Sequence, residues 1–321
     1  MDLDSIGYNY TEDIDDRQEN SIAGDDEDTK NNMKRIMLRY DKLDSEERML
    51  RHRNNELINF WDLSPSDLIN LEEIKLKLTP GSEAMLFSAV KEIPREIGYF
   101  YGEADNGKKA INLLSTKEKS IFGSIVDTTK NEIYQFQPRH DGKIHIIHKN
   151  VAEFIDSEDE IMSKERGPGF YDVEGKEGAN HDDGNVIDIM IVWTKSTECA
   201  NSALPVNCEL TDITRNNLIG KIQLAVAETN TAFALSGINA KLRLVYAYLH
   251  PTYKESDLLK ALNHITTSGD IHEKRVKYGA DAVSFWVNHQ TCGMGWLGPS
   301  KDHMFSVVSH SCATGWLYYC A

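Results

Sequence analysis

Cysteine is missing from the first 198 residues of this chain. All five cysteines fall later, at 199, 208, 292, 312 and 320, so the first half must fold without a disulfide framework. Long apolar runs are missing as well. Nothing approaches the ~18 consecutive apolar residues that a membrane-spanning helix needs, which excludes a helical membrane span. The opening MDLDSIGYNYTEDIDD lacks the basic-then-apolar order of a secretory signal, so no export address is expected in the chain as written. Positive charge is also in deficit. With 35 Lys and Arg against 51 Asp and Glu, the net charge of -16 argues against nucleic acid as a partner, because phosphate binding depends on basic patches and counterion release. Signatures of nucleophile and phosphate chemistry are lacking too: there is no G-x-S-x-G elbow and no phosphate-binding loop of the G-x-x-x-x-G-K-[ST] kind.

What remains is a globular composition, 40% hydrophobic, in a chain of 321 residues with room for two domains. Much of the acid is local. DIDD and GDDEDTK lie in the first thirty residues and DSEDE covers Asp156 to Glu160, as expected of a solvated tail and a linker. EADNGKK (103–109) resembles a calcium loop only loosely. With Gly107 at the loop's sixth position, the first ligand would be Gly102, which has no side-chain oxygen, so Asn106-Gly107 reads as a turn.

Residues 1–35 are expected to form an acidic, disordered tail. From Met37 to Leu57, charges and apolar residues mix at a weakly helical spacing. A β-rich region follows. In IKLKL, Ile74, Leu76 and Leu78 alternate with lysines; IFGSIVD (121–127), EIYQFQP (132–138) and KIHIIH (143–148) come at short intervals. Asp141-Gly142 is a hairpin signal, and the region 36–155 is expected to be a small antiparallel β domain. Residues 156–185 are polar and glycine-rich and read as a linker, with Lys164 and Arg166 as sites where a protease would cut.

The second half, 186–321, has a different rhythm. VIDIMIVWT (186–194) is the continuous apolar run of a buried strand. A helix is expected from about Asp212 to Leu235, carried by Leu218, Ile222, Ala225, Val226, Thr229 and Phe233, with Gly237 as its C-terminal cap. KLRLVYAYL (241–249) reads as a strand, a second helix starts at Ser256 or Asp257, and DAVSFWVNH (281–289), CGMGWL (292–297) and MFSVVSH (304–310) complete the set. Strand and helix alternate, which predicts an α/β fold with a mainly parallel sheet. The spacings Cys199/Cys208 and Cys292/Cys312 can each close a loop, leaving Cys320 over. Disulfides imply an oxidising compartment, at odds with the missing signal. That conflict suggests that the true N-terminus is absent, and the compartment stays unassigned.

The wording and order of this half resemble the metzincin zinc endopeptidases of the adamalysin or reprolysin-like kind. IQLAVAETNTAFALSGI (222–238), LRLVYA (242–247), YGADAVSFWV (278–287), CGMGWL (292–297) and FSVVSHSCATG (305–315) carry the resemblance. The β-rich half, with PGS (80–82), FGSIVD (122–127) and YQFQP (134–138), resembles the propeptide that precedes such domains. The resemblance implies a twisted, mainly parallel five-stranded sheet with two long helices, a zinc cofactor and a peptide or protein substrate. It implies that Cys292, Gly293, Met294, Gly295, Trp296 and Leu297 form the edge strand along which an extended substrate lies. Relatives are kept latent by a propeptide cysteine; with none in residues 1–198, latency here would be steric.

The same resemblance implies the motif H-E-x-x-H-x-x-G-x-x-H on a third helix, whose first two histidines share a face and whose glutamate is the general base for a zinc-bound water. After Gly315 the chain reads only WLYYCA, so the motif is absent. The expectation is therefore a truncated member, catalytically incompetent, with no catalytic or metal residue assigned and no zinc bound by this chain. Trp316, Leu317 and Tyr319 are expected to pack as a makeshift cover for the sheet. No other histidines substitute. His272-Glu273 starts well, but the residue four after His272 is Val276; His145 and His148 are three apart on a strand and face opposite sides. His310 and Cys312 make only a two-residue half-site, and His181-Asp182-Asp183 lies in the linker. A divalent-ion site of the integrin-type α/β domain is disfavoured because the first strand ends in WTKST, without the aspartate of that motif. The alternative function is a non-catalytic binding or inhibitory protein acting on an intact relative.

Overall fold

The computed structural model describes residues 35–38, 55–58, 65–76, 78, 84–93, 96, 98–116, 120–138, 144–150, 160–163, 185–201, 208, 210–297 and 303–315. Two sheets organise them. The first has nine strands: β1 (Arg35–Leu38), β2 (Asn55–Ile58), β3 (Glu73–Leu76), β4 (Met85–Ala89), β5 (Tyr99–Ala104), β6 (Lys109–Ser115), β7 (Ile121–Asp127), β8 (Glu132–Pro138) and β9 (Ile144–Asn150). From β3 to β9 it is an antiparallel meander, with β1 added parallel to β3 and β2 antiparallel to β9. The expected alternation is visible in β3, where Ile74 and Leu76 are buried and Lys75 is exposed. Asp105, Asn106 and Gly107 all take positive φ between β5 and β6, which these residue types tolerate, so EADNGKK is a hairpin turn. The weakly helical reading of Met37 to Leu57 fails at both ends, where β1 and β2 are strands: pairing to neighbouring strands outweighs a weak local preference.

The two faces of the first sheet differ. Ile74, Phe87, Phe100, Ile111, Leu113, Ile121 and Ile125 point to one side and pack on Leu68 of the short helix α1 (Pro65–Ile69). Tyr99, Tyr101, Ala110 and Phe122 point to the other. There they meet a helix from the second half of the chain, so β7 is buried along its whole length.

The second sheet is mixed, in the order β10-β14-β15-β13-β11-β12. Its strands are β10 (Glu160–Ser163), β11 (Val186–Trp193), β12 (Lys241–Leu249), β13 (Ala282–Val287), β14 (Gly293–Leu297) and β15 (Phe305–Ser309). β11 pairs parallel with β12 and β13, and β13 pairs parallel with β15; β14 runs antiparallel to β15. The mainly parallel character is therefore present, but the sheet has six strands rather than five. The sixth, β10, comes from the stretch expected to be linker, where Ile161 and Met162 interrupt the acidic run.

α2 (Lys195–Ala200) and the 24-residue α3 (Asp212–Leu235) connect β11 to β12. Thr211 caps α3 through a reciprocal pair of bonds with Thr214, and Gly237, at φ 68°, lets Ile238 N–H reach back to Phe233 O at 2.8 Å. The second expected long helix is broken into α4 (Leu258–Thr267) and α5 (Gly269–Lys277). Ser268 between them is extended, at φ -74° and ψ 115°, which interrupts the hydrogen-bond ladder just before a glycine. α4 and α5 cover one face of the second sheet through Leu258, Leu262, Ile265 and Ile271, and α3 covers the other through Leu218 and Ile222. α3 thus lies between the two sheets, which is why its buried positions run round the helix instead of along one stripe.

Both expected disulfides are present, Cys199–Cys208 and Cys292–Cys312, with Cα atoms 5.5 and 5.3 Å apart. Cys320, Trp316, Leu317, Tyr319, His181, Lys164, Arg166 and the tail over 1–34 lie outside the described residues.

Candidate functional site

The strand expected to hold substrate is β14. Met294 is buried and Trp296 half-buried; both pack on the core under α4 and α5, and Trp296 Nε1 donates to Thr266 Oγ1 at 2.7 Å. Gly293 and Gly295 alternate with them. A Cβ at Gly293 would stand 2.9 Å from the carbonyl oxygen of Val307, so β14 can pair this closely with β15 only as glycine there. Cys292 lies just before the strand and is tied to Cys312, in the turn that follows β15. Leu297 is the strand's last residue, in register with Ser163. The other side of β14 carries β10 in parallel register, Glu160 against Met294 through Ser163 against Leu297. Any peptide laid along β14 would use the backbone groups that β10 uses.

Behind β14 and β15 the turn His310–Gly315 meets the first sheet. Gln135 Nε2 on β8 donates to Thr314 O at 2.7 Å and lies 3.0 Å from Thr314 Oγ1. Lys149 on β9 places its amine on the carbonyl oxygen of Ser311. Gly315 N–H donates to Glu228 Oε2 of α3 at 2.7 Å, and the other oxygen of Glu228 accepts from Ser124 Oγ on β7 at 2.5 Å. The relay continues through Asn112, which donates to Ser124 Oγ at 3.2 Å and accepts from the Tyr99 hydroxyl at 2.5 Å. Lys221, two helical turns before Glu228, reaches Asn201 Oδ1 at 3.4 Å. Glu228, Lys221, Ser124, Asn112, Gln135 and Tyr99 are buried and Lys149 is partly so, and desolvation dominates the titration of the ionisable ones that shift. It pushes the Glu228 carboxyl up to about 7, against the pull of the Ser124 and Gly315 bonds. It brings the Lys221 amine down to about 8, with Glu228 partly offsetting it. Lys149 and His310 are held well below their ordinary ranges by burial and then by the neighbouring amines.

The remaining candidates are accounted for locally. His310 and Cys312 do not form a metal half-site, because Cys312 is in a disulfide and His310 Nε2 faces Asn288 Oδ1 at 3.3 Å. His272 Nε2 lies 2.8 Å from Thr266 O, consistent with a donated hydrogen bond, and Val276 is half exposed. His148 stacks on Tyr134, while His145 Nδ1 lies 3.4 Å from Gln137 Nε2. Thr194 of WTKST caps α2, and its hydroxyl and that of Thr197 hold Glu255. His250 and His264 meet Nε2 to Nε2 at 3.2 Å. Because His250 Nδ1 accepts from Tyr253 N–H, its Nε2 carries the proton and donates to His264. Among the described residues no three His, Cys, Asp or Glu side chains are grouped so as to hold a metal ion. Nor is any described helix long and apolar enough to cross a membrane.

Sequence reasoning singled out neither Glu228 nor Lys221. Their signal was faint: two ionisable residues seven apart on one face of a helix that carries other polar residues as well.

No family model matches the chain, and no curated protein does. Among solved structures, a chain from a structure of a chaperone–substrate complex is similar at 18% identity and a TM-score of 0.32. That similarity covers 39% of this chain and 20% of the other, so this chain spans about a fifth of its length and the likeness carries no argument about fold or function.

Proposed function

We propose that the chain joins a propeptide-like first half to the N-terminal part of a zinc endopeptidase domain of the metzincin, reprolysin-like kind. The observation that carries the reading is the chain's path through the second sheet. It runs from β11 to β12 by α3 on one face and from β12 to β13 by α4 and α5 on the other; the antiparallel strand β14 then precedes β15. On this reading β14 is the strand that an extended peptide would join. No residue set in these 321 residues supplies H-E-x-x-H, so no catalytic step is assigned to them. Two experiments test the reading. Zinc measured by mass spectrometry on the purified chain should be substoichiometric, with no chelator-sensitive cleavage of a generic peptide. The transcript beyond the codon for Ala321 should encode H-E-x-x-H-x-x-G-x-x-H in one frame; a downstream sequence without it in any frame would remove the endopeptidase half of the proposal.

A second reading rests on β10. A segment of the chain's own linker pairs with the outer side of β14, in parallel register. A protein that covers a substrate-type edge in this way is a candidate inhibitor of an intact relative, and the cover is steric, as the absence of cysteine from residues 1–198 requires. Adding the purified chain to an active endopeptidase of that kind should slow peptide cleavage; an unchanged rate with the chain in large excess would exclude this role.

A further inference from the structure

Lys221 and Glu228 lie where the first sheet closes over α3, and each is almost wholly buried. Their hydrogen-bond partners are neutral: Asn201 Oδ1 for the amine, Ser124 Oγ and Gly315 N–H for the carboxylate. The other titratable groups that face them come from three more elements. β9 contributes Lys149, whose amine sits on Ser311 O. β5 contributes Tyr99, which lies 2.8 Å from Thr231 Oγ1 and whose burial keeps it neutral. The turn after β15 contributes His310, buried, with no hydrogen-bond partner at Nδ1. A charge held in the interior by neutral hydrogen-bond partners is less favourable there than in water, so Glu228 and Lys221 each gain on becoming neutral. Separation of the first sheet from α3 would take Ser124 from Glu228 and admit water to the carboxylate.

We propose that this seam is a proton-linked latch: it holds the first half of the chain to α3 most loosely when Glu228 and Lys221 are both charged, and more tightly when either is neutral. The signs follow from linkage. Glu228 rises from 4.5 to about 7, so closing the seam takes up a proton, and the latch tightens as pH falls from about 7. Lys221 falls from 10.5 to about 8, so closing releases a proton, and the latch tightens as pH rises from about 8. Lys149 and His310 are both lowered and lean the same way as Lys221. Lys149 adds to the alkaline arm, and His310, whose ordinary value is 6.5, opposes Glu228 below about pH 6.5, so the acid arm is the shallower.

The test uses the full chain and follows the Gly315 amide, which is donated to Glu228. Its hydrogen-exchange protection, corrected for intrinsic exchange, should rise at least about tenfold between about pH 7 and pH 10. Lys221→Met should reduce that rise to the part that Lys149 supplies, and Glu228→Gln should remove the tightening that Glu228 gives as pH falls below about 7. A wild-type profile constant within about threefold across the range overturns the proposal without recourse to any variant. So does an alkaline rise as large in a folded Lys221→Met protein as in the native chain.

Discussion

Helix α3 rests on two seats, and they are built differently. On the second sheet, Leu218 and Ile222 meet Ile191, Trp193 and Trp286, and Asn230 adds a neutral pair of hydrogen bonds to the backbone N–H and O of Leu242. On the first sheet, Leu224 and Ala227 meet Phe122, Tyr99 and Tyr101, but Asn112, Ser124, Lys221 and Glu228 are buried among them. A seat of apolar and neutral groups is indifferent to pH. A seat with buried polar groups holds only in the register that satisfies them, and its strength follows their protonation. The second half of the chain should therefore keep its helix when the first sheet leaves, while the first sheet loses one covered face.

The sharpest way to break the comparison is to remove the anchor of the apolar seat. Trp193→Ala takes away a fully buried indole and also the donor that Trp193 Nε1 gives to Glu198 Oε2 at 2.8 Å. It should cost about 3–5 kcal/mol in urea unfolding, with both sheets lost together. Next in size is the double change Cys292→Ser with Cys312→Ser. Opening that loop should cost about 3 kcal/mol and leave β14 and the 310–315 turn untied. Proteolysis near β14 should then begin at lower denaturant than in the native chain.

A smaller and more selective change addresses the polar seat. A Cβ at Gly220 would enter the Phe122 ring, so Gly220→Val should displace that ring at about 1–3 kcal/mol. Hydrogen exchange should quicken along β6 and β7 and stay slow along β11 and β13. Equal loss in both sheets would mean that the two seats are one cooperative unit and that the contrast drawn between them is wrong.

How much of this was legible beforehand depends on which seat is considered. The apolar seat is written in contiguous residues: VIDIMIVWT reads as a buried strand, and Leu218 and Ile222 fall on a helical stripe. Both disulfides could be read from spacing. The polar seat could not be read that way. Ser124 in IFGSIVD, Asn112 in KAINLLS and Gln135 in EIYQFQP look like the solvent side of alternating strands, and only the fold brings α3 over them. The same limit hid β10. EIMS is too short and too acidic in its setting to announce a strand, and it becomes one through the backbone of β14. Ser268-Gly269, which breaks the second helix, is a local signal of the ordinary kind that the helical pattern on either side outweighed.

The smallest expected effect sharpens the comparison from the outside. Lys241 and Glu96 also join the two halves, at 2.9 Å, but their side chains are 59% and 43% exposed. An exposed pair gains little Coulomb energy in water and loses side-chain entropy on forming, so its net contribution is typically below about 1 kcal/mol. Lys241→Met should change the unfolding free energy by less than about 0.5 kcal/mol and leave the protection of the Gly315 amide as it is. The distance matches that of the buried bonds, and the surroundings set the difference: water solvates Lys241 and Glu96 whether or not they touch, whereas Glu228 has only Ser124 and Gly315. If Lys241→Met loosened the seam as much as Gly220→Val, the halves would be held at the rim, and the buried groups would be passengers rather than the latch.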